Sequence, residues 1–315
     1  MVDRIAGESV VMSVIRILGN PSLRRAAGAC VASMCYNFFY RQYRAAFFRG
    51  RIPVSSVDHP LDGRIPFTPS RVAVYLDFVS FWVRTLGFLL RVYRRRGVGA
   101  VKGFLDGMGR LYAFAAEVYA KNLSTTRRPR YYGRPRFLLI HAVDPHLMCV
   151  PSLHVMVVIR TYTCFARIVR SLGDGERFAP QIGEIKRGAL AITEAILFVK
   201  QHSVNCVAAS LYAMDRFDGA LFPPAEAEDF VSRLFTGSIP PEDGESVRNY
   251  ILDLYRRFIR EGRGGGTWDK PLVDFLQALS RQEGHPPARD GFYPVTDGLR
   301  QKKKGPAILR RKETG

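Results

Sequence analysis

Acidic residues, cysteine and tryptophan are all scarce in this 315-residue chain: 28 Asp and Glu stand against 47 Lys and Arg, with five Cys and two Trp. Five cysteines with no C-x-x-C pair and one necessarily left over make neither a disulfide framework nor a zinc site. Cys30, Cys35, Cys149, Cys164 and Cys206 therefore read as reduced core thiols. No Gly-rich loop precedes a helix, no heptad pattern is sustained and no segment repeats, which removes the P-loop, coiled-coil and solenoid classes. Gly264-Gly265-Gly266 follows a helical pattern and reads as a flexible spacer. A cleavable signal peptide is not expected, because Val10–Leu18 is short, contains Arg16 and runs into Asn20-Pro21 without a small-residue cleavage pattern.

What is present is apolar and basic. Apolar residues make up 47% and charged residues 24%, which excludes disorder as the main state and leaves room for a large core. The net charge is +19, and it is uneven: residues 1–215 hold 30 Lys and Arg against 13 Asp and Glu, leaving +2 for the last hundred. The first part alternates apolar, aromatic and small-residue stretches with arginine-rich loops, whereas the second has polar amphipathic patterns and turn-rich spacers. The spacing predicts a segment 1–22, a helical bundle 23–215, and a helical appendage 216–315 with a basic end at Lys302-Lys303-Lys304.

Helix is the expected state throughout. Phe104, Leu111, Phe114, Ala115, Val118 and Tyr119 recur at helical spacing, and breakers such as Pro66, Pro69, Pro129, Pro135 and Pro223-Pro224 mark the joints. The best membrane candidate is 72–92, long enough at ~1.5 Å per residue to cover a ~30 Å hydrocarbon core although it holds Asp77 and Arg84. Segments 23–48, 101–120, 153–169, 188–199 and 204–214 are the others. A soluble bundle with greasy buried faces produces the same pattern, and mean hydropathy is only −0.06.

Three clusters carry candidate chemistry. In Lys121-Asn-Leu-Ser-Thr-Thr-Arg-Arg128-Pro129, a lysine and an arginine stand seven apart at a helix end, a corner suited to an oxyanion or, equally, a solvated basic loop. In Cys149-Val-Pro151-Ser152-Leu-His154, Ser152 is placed to cap a helix whose free N–H groups favour an anion, with His154 in the first turn. In Leu197-Phe-Val-Lys200-Gln201-His202-Ser-Val-Asn205-Cys206, a lysine and a histidine interrupt an apolar stretch and need partners if buried.

Taken in order, these clusters resemble the three motifs of the phosphatidic acid phosphatase type 2 and vanadium haloperoxidase superfamily: K-x6-R-P, P-S-x-H and a histidine-centred third motif. Asp62-Gly-Arg-Ile-Pro66-Phe67-Thr-Pro69 also resembles the I-P-F-x-P segment of an inositolphosphotransferase-like branch with P-S-L-H and K-Q-H motifs. The resemblance covers residues 62–214, about half the chain. It implies an all-α, six-helix phosphatidic acid phosphatase-like bundle embedded in a membrane by several passes, with the small helical appendage at its C-terminal side.

The resemblance also implies chemistry without a metal or organic cofactor. Lys121, Arg128, Ser152 and, in this branch, Lys200 would hold the phosphate of a lipid phosphate or phospholipid; His154 would protonate the leaving group, and His202 would attack phosphorus to give a phosphohistidine. Two positions depart from the family's pattern. The third-motif Asp, four residues after the histidine, is here Cys206, with Asn205 as a neutral neighbour able to accept the imidazole N–H. The serine-arginine pair of many members falls on Ala195 and Ile196. The chain thus reads as a lipid phosphate phosphatase or head-group phosphotransferase weakened at His202, or as a degenerate member that binds an anionic head group or a partner protein. Nucleic acid is not an expected partner, since +19 comes without a recognition module. Loop cations number ten on the motif side and eleven opposite, and discounting Lys121 and Arg128 as ligands tilts the site towards the extracytoplasmic face.

Overall fold

A computed structural model of the chain describes residues 4–48 and 52–282, and it is predominantly helical, an all-α architecture with one two-stranded sheet among the described residues. In order come α1 (Val10–Leu18), α2 (Pro21–Met34), α3 (Arg41–Phe47), β1 (Val54–Ser56), α4 (Val72–Leu76), α5 (Phe78–Tyr93), α6 (Val98–Lys121) and β2 (Leu123–Thr125). They are followed by α7 (Pro135–Val143), α8 (Leu153–Ser171), α9 (Ala179–Phe198), α10 (Val204–Asp218), α11 (Pro224–Ser232), α12 (Pro241–Gly262) and α13 (Lys270–Gln282).

Local chemistry sets the boundaries. Asn20 accepts hydrogen bonds from the N–H groups of Ser22 and Leu23, and Pro21 stands at the first helical position, so α2 begins two residues earlier than the apolar pattern suggests. A π-helical run, Cys35–Tyr40, joins α2 to α3 without a break. The 72–92 stretch is not one helix: it divides at Asp77, whose carboxylate takes two hydrogen bonds from Arg84 at 3.0 and 2.5 Å. The other greasy segments each fall within one helical run.

At the centre lies α8, buried along nearly its whole length, with α5, α6, α9 and α10 around it. A charged side chain is built into this interior. Arg160 on α8 is 4% exposed, pairs with Asp218 at 3.6 Å, and lies over the rings of Phe104 and Phe217. Gly107 makes room for it, because a Cβ there would sit 1.7 Å from the guanidinium.

The expected boundary after Asp215 falls inside α10. Residues beyond it do not form a separate appendage: Phe222, Phe230, Phe235, Tyr255 and Phe258 are buried in the same core as α8 and α10, with α12 packed along α10. The apolar stripe of the amphipathic helix α12, Val247, Ile251, Leu254 and Phe258, has that core as its partner. The basic end at 302–304 lies outside the described residues.

Six membrane crossings were expected. Among the described residues one helical stretch, Pro69–Lys121, contains a window long and apolar enough to cross a membrane, and half of that window is buried in the protein. Within that stretch the outer face of α6 exposes Lys102, Arg110 and Glu117, and beyond it α8 exposes Arg167 and Arg170.

Candidate functional site

The short strand β2 pairs in parallel with β1, Val54 opposite Leu123, and through Ser124 it also ties the first sequence cluster to the second. Ser124 lies inside the first cluster; its N–H donates to the Leu147 carbonyl, its carbonyl accepts from Cys149 N–H at 3.2 Å, and its hydroxyl accepts from Val150 N–H at 2.8 Å. The loop before α8 is thereby fixed against the loop after α6. No strand is legible in these residues, because three-residue strands give no alternation to read.

Ser152 precedes α8, as expected, but its hydroxyl does not cap the helix. Its N–H donates to Ser210 Oγ at 2.7 Å, which holds the serine so that its own Oγ lies 3.3 Å from His202 Nε2. His154, in the first turn of α8, brings Nδ1 to within 3.3 Å of the same His202 nitrogen. Tyr75 stacks on the His154 ring at 4.6 Å and Phe78 lies 4.3 Å away. Burial in this aromatic box lowers the His154 pKa to about 4.

His202 stands in the turn from α9 to α10, where Lys200 adopts φ 56° and reverses the chain. Burial and the neighbouring rings of His154 and His146 push its pKa well below that of a free imidazole. Its Nδ1 is buried and has no hydrogen-bond partner. Cys206 is no substitute for a carboxylate: its sulfur accepts from Ser203 N–H in the α10 cap, and burial keeps the thiol neutral. Asn205, the other candidate, is engaged elsewhere, with its Oδ1 accepting from Tyr250 at 2.6 Å and its amide donating to the Val57 carbonyl at 3.1 Å.

The cations divide. Arg128 does not line the pocket itself but is tied to it, donating to the carbonyl of the lining residue Asp144 at 3.0 Å and to Gln201 Oε1, next to His202, at 3.3 Å. Lys121 and Lys200 do not line the pocket. Lys121, half exposed at the end of α6, pairs with the fully buried Asp269; an unpaired carboxylate there would be costly, and the lysine answers that need. Lys200 Nζ donates to the carbonyls of Asp62 and Ile65, and so anchors the I-P-F segment beneath the turn that carries His202.

Phe38, Gln42, Asp144, His146, Met148, Cys149, Leu153, His154 and His202 line the pocket. Of these, Asp144 and His146 carry unforeseen chemistry. His146 is buried at φ 59°, its Nε2 lies 2.7 Å from Thr126 Oγ1, and its N–H donates to Asp144 Oδ1 at 2.8 Å. Burial works to raise the Asp144 pKa, yet hydrogen bonds from His146 and the charge of Arg128 outweigh it and hold the carboxyl well below the usual range. The signal in the sequence was Asp144-Pro-His146, a carboxylate and an imidazole just ahead of P-S-L-H. No group of three or more such ligands is disposed to hold a metal ion among the described residues.

No family model, curated protein or solved structure matches the chain. The functional reading therefore rests on the site itself: two imidazoles and a serine hydroxyl about one point at a helix N-terminus, with one arginine alongside and a carboxylate behind it.

Proposed function

We propose that the chain is a phosphoryl-transfer protein similar to the phosphatidic acid phosphatases, acting at low turnover on a lipid phosphate or phospholipid head group. The observation that carries this reading is the 3.3 Å approach of His154 Nδ1 to His202 Nε2, two rings that one phosphate could bridge. In the proposed step the His202 Nε2 lone pair attacks phosphorus, the bond from phosphorus to the leaving oxygen breaks, and that oxygen takes a proton from His154. Water or a second alcohol then attacks the phosphohistidine, gives its proton back to His154 and releases His202. Arg128 and the N–H groups opening α8 would hold the non-bridging oxygens.

Burial favours the neutral form of both imidazoles, and His154 must gain a proton before it can act as an acid. A phosphoester dianion beside the ring favours the charged form. The binding-only reading has its own support: His202 lacks a partner on Nδ1, and two of the three expected cations are occupied elsewhere.

A membrane is the proposed setting. With one stretch fit to cross a bilayer, the proposal asks for attachment to lipid rather than six crossings. The test is phosphate or head-group release from a panel of lipid phosphates by wild type and His202→Ala. Turnover lost in His202→Ala supports transfer; saturable phosphate binding without turnover in either protein favours the binding-only reading.

A further inference from the structure

The apolar side chains left on the surface are grouped on adjoining helices. Along the continuous helix α2–α3, Val31, Tyr36, Phe39, Tyr40 and Phe47 face outwards at helical spacing, with Phe47 79% exposed. Leu138, Leu139 and Val143 on α7 do the same, and Tyr43 ties α7 to α3 by donating to the Val143 carbonyl at 2.5 Å. Isolated exposed apolar residues need no explanation, but a face shared by two tied helices does.

The helices of this face carry charge of one sign. Between Glu8 and Asp58, and again between Glu117 and Asp144, the sequence has no acidic residue. Those two segments contain the whole of α1 to α3 and α7. Arg24, Arg25 and Arg44 are exposed towards the ends of the α2–α3 helix, and Arg134 and Arg136 are exposed at the start of α7. Residues 26–40 carry no charge, a length of about 22 Å of helix. That is shorter than the ~30 Å hydrocarbon core, so the face suits lying in a bilayer interface more than crossing it.

The face also adjoins the pocket. Phe38 and Gln42 line the pocket from the same helix that shows Phe39 and Tyr40 to the outside, and Asp144 follows directly on α7. We propose that α2–α3 and α7 form a docking face for an anionic lipid bilayer, with apolar side chains among the acyl chains, Tyr36 and Tyr40 at head-group level and the arginines against lipid phosphates. This names the surface from which the proposed lipid substrate would be drawn, yet docking itself needs no phosphoryl chemistry.

The experiment is flotation of the full chain with vesicles of phosphatidylcholine alone or mixed with phosphatidylserine, alongside Phe39→Asp, Leu139→Asp and the pair Arg134→Gln/Arg136→Gln, each shown folded by circular dichroism. Expected are flotation with the mixed vesicles, its loss in both aspartate variants, and affinity lowered about twenty-five-fold in the arginine pair, at about fivefold for each cation. His202→Ala should float like wild type, which separates this test from that of the chemistry. Flotation unchanged by the three face variants overturns the proposal. So does a full-chain dimer that fails to float and dissociates on Phe39→Asp, since a second copy then covers the face. Flotation gained only on truncation after Gln282 overturns it as well, since the chain's own last residues then cover it.

Discussion

His202 has one ring nitrogen 3.3 Å from both Ser152 Oγ and His154 Nδ1, while its other ring nitrogen is buried without a partner. An imidazole that attacks phosphorus becomes positively charged, and the far nitrogen is where a carboxylate would fix the tautomer and stabilise that charge. Cys206, one helical turn on, is neutral and directs its sulfur to the cap of α10. Cys206→Asp is therefore expected to raise turnover by roughly 10²-fold, within the range that an orienting carboxylate supplies in a related triad. Comparison of wild type, Cys206→Asp and His202→Ala on one lipid phosphate checks it. Vigorous wild-type turnover unchanged by Cys206→Asp counts against it.

Lys121 separates a structural role from the one its motif implies. Its partner Asp269 is fully buried, so Lys121→Met leaves a carboxylate in the core without its cation. Because the lysine is itself half exposed, we expect a loss below that of breaking a fully buried pair, about 2 kcal/mol. Phosphate affinity should hold, whereas Arg128→Met should lower it at least tenfold. Thermal melts and phosphate titrations of the two variants decide; loss of phosphate binding in a fully stable Lys121→Met protein reverses the assignment.

These contrasts show how far the sequence could be read. Helices were legible because Phe104, Leu111, Ala115 and Val118 repeat at 3.6-residue spacing, and the meeting of Ser152, His154 and His202 was legible because motif order carries three-dimensional information. The side-chain commitments of Lys121 and Lys200 were not: each satisfies a need that arises far away in sequence, at Asp269 and at the carbonyls of Asp62 and Ile65. The same holds for Asn205, which Tyr250 claims from α12. The boundary at Asp215 went astray because a fall in net charge marks a change of surface and not the end of a core.

Acid should destabilise the protein. His154 has its pKa lowered by burial to about 4 against 6.5 for a free ring, so between those values the unfolded chain binds more protons than the folded one. Stability contributed by the neutral ring is then fully present above pH 6.5 and falls as pH drops towards 4, by up to about 3 kcal/mol. His146 and His202, lowered in the same direction, add to the loss. Urea unfolding at pH 7 and pH 4.5 measures the change, and His154→Gln should flatten it. Inorganic phosphate should protect wild type in acid, since an anion in the pocket favours the charged rings.

Residues after α10 are expected to be indispensable for folding, contrary to their reading as an appendage. Removing everything after Asp218 uncovers the α10 face against which Ile251, Tyr255 and Phe258 pack, all 1% exposed or less. It also takes away Tyr250, which bonds Asn205 and stacks on His59 at 3.9 Å, so the turn that holds His202 loses its outer support. Each large apolar side chain withdrawn from a packed core costs about 2–5 kcal/mol, and three of them approach or exceed the stability of a typical domain. A chain ending at Asp218 should therefore be recovered aggregated or molten, whereas Tyr250→Phe should fold with a melting point lowered by a few degrees and weaker phosphate binding. Limited proteolysis and near-ultraviolet circular dichroism separate these outcomes. A soluble, cooperatively melting 1–218 fragment that still binds phosphate would show that α11 to α13 only decorate a core able to stand alone.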